Sequence, residues 1–352
     1  MKKAIFIFLS SILFLCSGCQ FNLRNSAEQS WANSQYLAVK NNSLGIIEIS
    51  KDDFSPLYSD ILVESIVGMI EPDSIFVLAK EKDSSSSLYQ IILEKKSSTC
   101  FSQNVKYALL SPDKNKMALA IINYESKDGN DKLVYMDLSS NQKVIISENL
   151  IGKPYWNEDS SKISYTILTP EGARVEVYDL KTKEKIKVKE DSDKDQFSEG
   201  WITENQLLVR IESKSSPRNN EYISYNLTTN YWGETFFKSL YHVSIYDIKN
   251  NLALLSYIDS DETKIVLTSI SLNTPNNQYQ LLEVPLYNND YGYRSAVFYT
   301  SKFISPHQVF YQVLTSENRD TVSCGIVDIQ RKEDIQLQNE LVDVWGLYPL
   351  AR

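Results

Sequence analysis

Leu133-Val-Tyr-Met-Asp-Leu138 and Val175-Glu-Val-Tyr-Asp-Leu180 are two copies of one short strand that ends in an apolar anchor. The same form recurs as Gly45-Ile-Ile-Glu-Ile49, Leu88-Tyr-Gln-Ile-Ile-Leu93, Tyr222-Ile-Ser-Tyr-Asn-Leu227, Ile265-Val-Leu-Thr-Ser-Ile-Ser-Leu272 and Gly325-Ile-Val-Asp-Ile329. The anchors Ile49, Leu93, Leu138, Leu180, Leu227, Leu272 and Ile329 stand 44, 45, 42, 47, 45 and 57 residues apart. A strand-rich unit of that length, too small to bury its own faces, is stable when copies stack on one another.

Around the third copy the unit can be read strand by strand. Tyr107-Ala-Leu-Leu110 is an inner strand, and Ser111-Pro-Asp-Lys-Asn-Lys116 is a turn built from turn-forming residues. Met117 to Ile122 is a buried strand, Ser126 to Asp131 a hairpin loop whose Gly129 supplies a positive φ, and Leu133 to Leu138 the third strand. Ser139-Ser-Asn-Gln142 turns the chain into an outer strand, Lys143-Val-Ile-Ile146. The fourth copy repeats this layout from Lys153-Pro-Tyr-Trp156 through Lys162 to Ile167 and Arg174 to Leu180, with its outer strand from Lys185. A four-stranded unit repeated in this way predicts an all-β, seven-bladed β-propeller, or one of six or eight blades if a terminal repeat is misread.

The ends of the repeat region fit together. The first repeat opens directly on Tyr36-Leu-Ala-Val39, with no inner strand before it, while Val342-Asp-Val-Trp-Gly-Leu-Tyr348 reads as an inner strand with nothing after it. Pairing the second beside the first would close the ring and remove a bare sheet edge. The layout of Ser-Pro-Asp, lysine, apolar strand, hairpin and Val-Tyr-Asp-Leu resembles the TolB-like and WD40-like (PD40-type) propeller repeats over nearly all of residues 36–349. That resemblance implies a fold and transfers no functional residue.

The N-terminus predicts an address. Lys2 and Lys3 precede twelve apolar-rich residues from Ala4 to Leu15, then Cys16-Ser-Gly-Cys19. A span of about 20 apolar residues is needed to cross a bilayer, so this stretch reads as a secretory signal peptide, residues 1–18. The segment resembles the bacterial lipobox, with Cys16 where that pattern prefers Leu. The resemblance implies that Cys19 carries a diacylglyceryl group and further acyl chains such as palmitate, anchoring an exported chain to the outer face of the cell membrane. Gln20 is not Asp, which in a cell with two membranes favours the outer one. An ordinary signal peptide cut nearby would instead leave a soluble secreted chain. Residues 19–35 are the lipidated cysteine and a polar tether, able to reach at most ~55 Å, and residues 36–352 are a single propeller domain.

Composition narrows the function classes. The formal charge is −9, and losing a leader with two lysines and no acid takes it to near −11. Nucleic acid and anionic lipid both demand clustered cations, so no nucleic-acid partner is expected. Two histidines, His242 and His307, cannot build a three-histidine zinc site. Asp191-Ser-Asp-Lys-Asp195 imitates the start of a calcium loop, but Gln196 and Ile202 stand where such a loop needs Gly and Glu. It reads as a solvated loop. No cofactor, metal or catalytic residue is expected. Cys100 and Cys324 read as two small buried residues too far apart to bond. Lys181, Lys183, Lys185, Lys187 and Lys189 guard an outer edge against pairing, or else present a basic stripe.

The longest repeat interval contains Pro285-Leu-Tyr-Asn-Asn-Asp-Tyr-Gly-Tyr-Arg294. An aromatic loop on a regular scaffold is a candidate contact surface, with Tyr287, Tyr291, Tyr293 and Arg294 as its contact residues. The expectation is therefore a non-catalytic, membrane-anchored scaffold for a protein, peptide or envelope polymer. A polysaccharide lyase or hydrolase, or a structural subunit of an export or envelope-assembly complex, are the alternatives.

Overall fold

A computed structural model describes residues 35–347 except 49–50, 72, 81–84, 127–128, 190–192, 240–242, 250, 260, 262, 274–277, 287–296, 315–321 and 338–340. Every element in it is a β-strand, and every pairing is antiparallel. Four-stranded sheets recur along the chain. One holds β1 (Gln35–Lys40), β2 (Ser43–Glu48) and β3 (Asp53–Tyr58), with β27 (Leu341–Leu347) beside β1. The next is β4 (Leu62–Glu71), β5 (Ser74–Lys80), β6 (Ser86–Ile92) and β7 (Ser97–Ser102). A seven-stranded sheet follows: β8 (Val105–Leu110), β9 (Lys116–Ile121), β10 (Asp131–Asp137), β11 (Lys143–Trp156), β12 (Lys162–Thr169), β13 (Gly172–Asp179) and β14 (Glu184–Lys187).

The remaining sheets return to four strands. They are β15 (Lys194–Thr203) to β18 (Tyr231–Ser239) through β16 (Gln206–Ser213) and β17 (Ser216–Asn226); then β19 (Ser244–Lys249), β20 (Leu252–Ile258), β21 (Lys264–Ser271) and β22 (Gln278–Pro285). The last is β23 (Val297–Ser305), β24 (Gln308–Leu314), β25 (Val322–Asp328) and β26 (Glu333–Leu337). This is a β-propeller.

Both faces of each sheet are apolar, and each face packs on a different neighbour. On β1 and β2, Leu37, Val39 and Leu44 pack with Val63, Ile66 and Ile75 of the following sheet. Tyr36, Ala38 and Ile47 point the other way, onto Phe310, Cys324 and Ile326 of the last sheet. The alternation of a strand therefore serves two interfaces at once, which is why these strands read as unbroken apolar runs. Similar seams join Val67 and Phe76 to Met117 and Leu119, Ala118 and Leu133 to Ile163 and Tyr165, and Val175 and Val177 to Leu207 and Val209. Two more join Leu208 and Tyr222 to Ala253 and Leu255, and Leu254 and Leu267 to Val309 and Tyr311.

The recurring anchor has a backbone task. The N–H groups of Leu93, Leu138, Leu180, Leu227, Leu272 and Ile329 donate to the carbonyls of Asp73, Asn115, Ser161, Asn205, Asn251 and His307, at 2.8 to 3.0 Å. Each bond ties the end of a third strand to the turn that follows the inner strand of the same repeat. The polar residue before the anchor caps the next turn. Oδ1 of Asp137, Asp179, Asn226 and Asp328 accepts the N–H groups two and three residues on, at 2.8 to 3.1 Å. Four residues beyond that position the chain enters the left-handed region, at Asn141, Lys183, Asn230 and Lys332, with φ between 56 and 61°. These tasks explain the sequence signature: a hydrophobe to bury, an Asx to cap, and a turn that tolerates positive φ.

Two features differ from the sequence reading. The stretch from Lys143 to Trp156 is one strand, not an outer strand, a turn and an inner strand. Leu150 pairs with Asp131 of β10 and with Ile167 of β12, so β11 belongs to two neighbouring repeats. Glu148-Asn149 lies within β11 at a bulge against β10, and Gly152, at φ 75°, bends the chain where the register against β12 shifts. Asp195 lies in β15 instead of a solvated loop, its Oδ1 accepting the Ala173 N–H at 2.9 Å.

Two outcomes test this account. A chain cut after Glu340 lacks β27 and bares the β1 edge; it is expected to lose its single cooperative melting transition and to self-associate, as read by calorimetry and light scattering. The Asp137 carboxyl is held at about 2, first by the Ser139 hydroxyl and then by Ser140, below its ordinary 3.8. The stability this supplies is present above pH about 4 and lost as pH falls to about 2, so Asp137→Asn should flatten the acid limb of stability over that window.

Candidate functional site

The inner strands β4, β8, β11, β15, β19, β23 and β27 all contribute residues to the walls of one axial space. It has two lobes, of about 780 and 640 Å³, which share Leu109, Lys153, Tyr246 and Asp247. Pro112, Glu158 and Asn251, from turns that follow β8, β11 and β19, also line it, so it opens at the end where inner strands finish. Each strand adds only a few side chains, set by its register against the next.

The wall is held by side chains that cross from one inner strand to its neighbour. Trp156 Nε1 donates to the Leu109 carbonyl and Trp201 Nε1 to the Tyr155 carbonyl, both at 3.0 Å. These indoles sit 45 residues apart, one repeat, and perform the same tie. Gly200, with φ 137°, lets Ile248 approach so closely that a Cβ there would lie 2.9 Å from Ile248 Cδ1. Tyr246 Oη donates to the Phe298 carbonyl at 3.1 Å.

Two of the three carboxylates that line the cavity, Asp247 and Asp343 but not Glu158, are engaged as well. The Phe303 N–H donates to Asp247 Oδ2 at 3.1 Å, and the Ile66 N–H to Asp343 Oδ2 at 2.7 Å. Lys302 pairs with Asp343. Behind the wall Arg210 Nε donates to Glu199 Oε1 at 2.7 Å, and its guanidinium lies 4.0 Å over the Phe197 ring. Burial pushes the Glu199 carboxyl above its usual range, and the Arg210 charge opposes this. Lys153 is different. Its accessible surface faces the cavity, and the atoms enclosing it lower its ammonium pKa, with Lys302 acting in the same direction and Asp247 against it.

The residues singled out from sequence fare unequally. Tyr287, Tyr291, Tyr293, Arg294, Cys19 and His242 lie outside the described residues. His307 is exposed, and by its carbonyl bond to Ile329 it matches Asn115 rather than Asp113. Cys324 is buried, but Cys100 is exposed, with its neighbour Thr99, on the edge strand β7. Lys185 and Lys187 do lie on the edge strand β14. No group of three or more His, Cys, Asp or Glu that could hold a metal occurs among the described residues. The sequence reading passed over Lys153, Asp247, Lys302 and Asp343, which sit in four different repeats.

If the Trp156 tie matters, Trp156→Phe leaves the Leu109 carbonyl without its donor and should cost about 1–2 kcal/mol in urea unfolding.

Neither a family model nor a curated protein sequence matches the chain. Solved structures do. TolB from Acinetobacter baumannii aligns at 12% identity over 88% of this chain and 80% of that one, with a TM-score of 0.53. An oligogalacturonate lyase in complex with manganese aligns at 10% identity over 87% and 83%, with a TM-score of 0.58. The tricorn protease aligns at 8% identity over 87% of this chain and 33% of that one, with a TM-score of 0.61. At such identities the likeness establishes the β-propeller fold and nothing narrower.

Proposed function

We propose that this chain is an exported, lipid-anchored propeller of seven blades that binds a protein, peptide or envelope polymer at the mouth of its axial cavity, without catalysis. The observation that carries the binding reading is the cavity itself. It draws residues from every inner strand and sets apolar and aromatic side chains such as Leu109, Leu110, Tyr246 and Phe303 beside converging charges, Lys153, Lys249 and Asp247 among them, as a ligand site does. The non-catalytic reading rests on how the carboxylates are used. Asp247 and Asp343 hold backbone N–H groups of the next inner strand, so their lone pairs fix the wall.

Seven blades follow from counting β11 in both of its repeats. Five four-stranded sheets and the two halves of the seven-stranded one then supply seven units. The apolar seams support a closed ring, because one of them joins the first unit to the last, and Tyr36 Oη donates to Gln308 Oε1 across it at 3.1 Å. The address rests on the leader and Cys19, with residues 20–34 as tether. Two or more acyl chains hold a protein firmly at a bilayer, at about 0.8 kcal/mol per buried CH₂.

A polysaccharide-active enzyme is the competing reading, and Glu199 favours it: a carboxyl raised by burial beside Arg210 is the kind of group that donates protons. Its side chain is absent from the cavity lining, which is why binding is preferred. A structural role in an export or envelope-assembly complex would use the same surfaces.

Fractionation and crosslinking decide between these. Cys19→Ala should move the chain from the membrane to the soluble fraction, and crosslinking of the anchored form should recover one specific partner. Membrane retention of the variant would refute the anchor. Turnover of an envelope polysaccharide, abolished by Glu199→Gln without loss of fold and with no partner captured, would reverse the choice between scaffold and enzyme.

A further inference from the structure

Two lysines of the cavity lining, Lys153 and Lys249, make no hydrogen bond or ion pair among the described residues, and Lys153 is the one set against an aromatic ring. Lys302 is paired with Asp343, and Asp247 and Asp343 accept backbone N–H groups. Lys153 Nζ makes no hydrogen bond or ion pair among the described residues; it lies 5.6 Å from the centroid of the Tyr155 ring and feels the charge of Asp247. Nothing in the packing requires a lysine there, since the lobes around it leave its head open to the cavity.

We propose that Lys153 is the anion-recognising residue of the axial cavity, and that its ligand presents a single carboxylate on an apolar or aromatic body. The inference rests on the binding reading above and names its ligand chemistry. Charge count selects a monoanion. Lys153, Lys249 and Lys302 face Asp247, Asp343 and Glu158 across the same space, so the lining carries no net charge and a monoanion leaves a smaller excess charge there than a dianion would. The body of the ligand has Leu109, Leu110, Tyr155 and Ile248 to lie against. A carboxylate bound to Lys153 makes a charge-assisted hydrogen bond, stronger than a neutral one, in a site already stripped of part of its water. Such a carboxylate can come from a peptide C-terminus or from a small organic acid.

The test is titration calorimetry on the full chain, in one detergent throughout, with four probes: 3-phenylpropionate, its amide, N-acetyl-Ala-Leu-Phe with a free C-terminus, and the same peptide amidated. At least one acid is expected to bind, with its amide at least tenfold weaker. Lys153→Met should weaken the acid at least tenfold, while Lys181→Met, in the turn between β13 and β14, should not. Because binding favours the charged amine, the acid should also take up protons at alkaline pH, read as a heat that changes with the buffer's ionisation enthalpy. Lys153→Met should melt no lower than the parent chain, since it removes no hydrogen bond or ion pair; this separates lost recognition from lost fold. Binding of the peptide acid alone assigns the terminus as the source, and binding of the small acid alone assigns a metabolite-sized ligand. Acid and amide binding equally, or unchanged binding by Lys153→Met, would overturn the charge assignment while leaving the cavity a binding site. If no probe binds, the assignment fails as well, and the docking of a larger partner still stands or falls on the crosslinking result.

Discussion

Two-sided burial is the constraint on which everything else in this molecule depends. A four-stranded sheet with hydrophobes on both faces has no solution alone, because only one face can be covered by folding over. Leu37 and Val39 go one way and Tyr36 and Ala38 the other, onto different sheets. Stability is therefore distributed among seams of similar size, as in other repeat architectures where each unit is completed by its neighbours. The hydrogen bonds from the anchors and the Asx caps do something complementary. They fix the shape of each unit so that its two faces are presented at a constant angle to the next.

The centre of the wheel is where regularity ends. Inner strands must approach one another without merging, and here they are tied by side chains rather than by ladders. Indole N–H groups of Trp156 and Trp201 reach one neighbour's carbonyl, and carboxylates of Asp247 and Asp343 reach another's amide. The same inner-strand positions thus carry the polar chemistry of the axial space. Once those groups are accounted for, the charges left among the lining residues are the ammoniums of Lys153 and Lys249 and the carboxylate of Glu158.

Much of the architecture was legible in the chain. The strand order, the Gly129 hairpin and the neighbour of the first strand were all written in local pattern, because alternation and turn chemistry act over a few residues. The fused strand was not. Glu148-Asn149 carries a turn's composition, and only the pairing of Leu150 on both sides shows that it continues a ladder. Cys100 was misjudged because burial at an edge strand depends on which face is turned outward. The cavity was invisible for a plainer reason. Each wall strand gives it only a few residues, so no short motif exists, and Lys153 and Lys302 become neighbours only when repeats three apart are wrapped around an axis.

The shared strand β11 makes the wheel unequal around its rim. Between β3 and β4, and between β7 and β8, the chain passes from one sheet to the next through a few residues that could be severed with the ladders intact. Between residues 147 and 152 a break would cut pairing with both β10 and β12 at once. New chain ends placed there by circular permutation would dismantle a pair of units, whereas ends placed in the Tyr124–Asn130 hairpin would open only a loop. The protein is a necklace of separable beads with two of them soldered together.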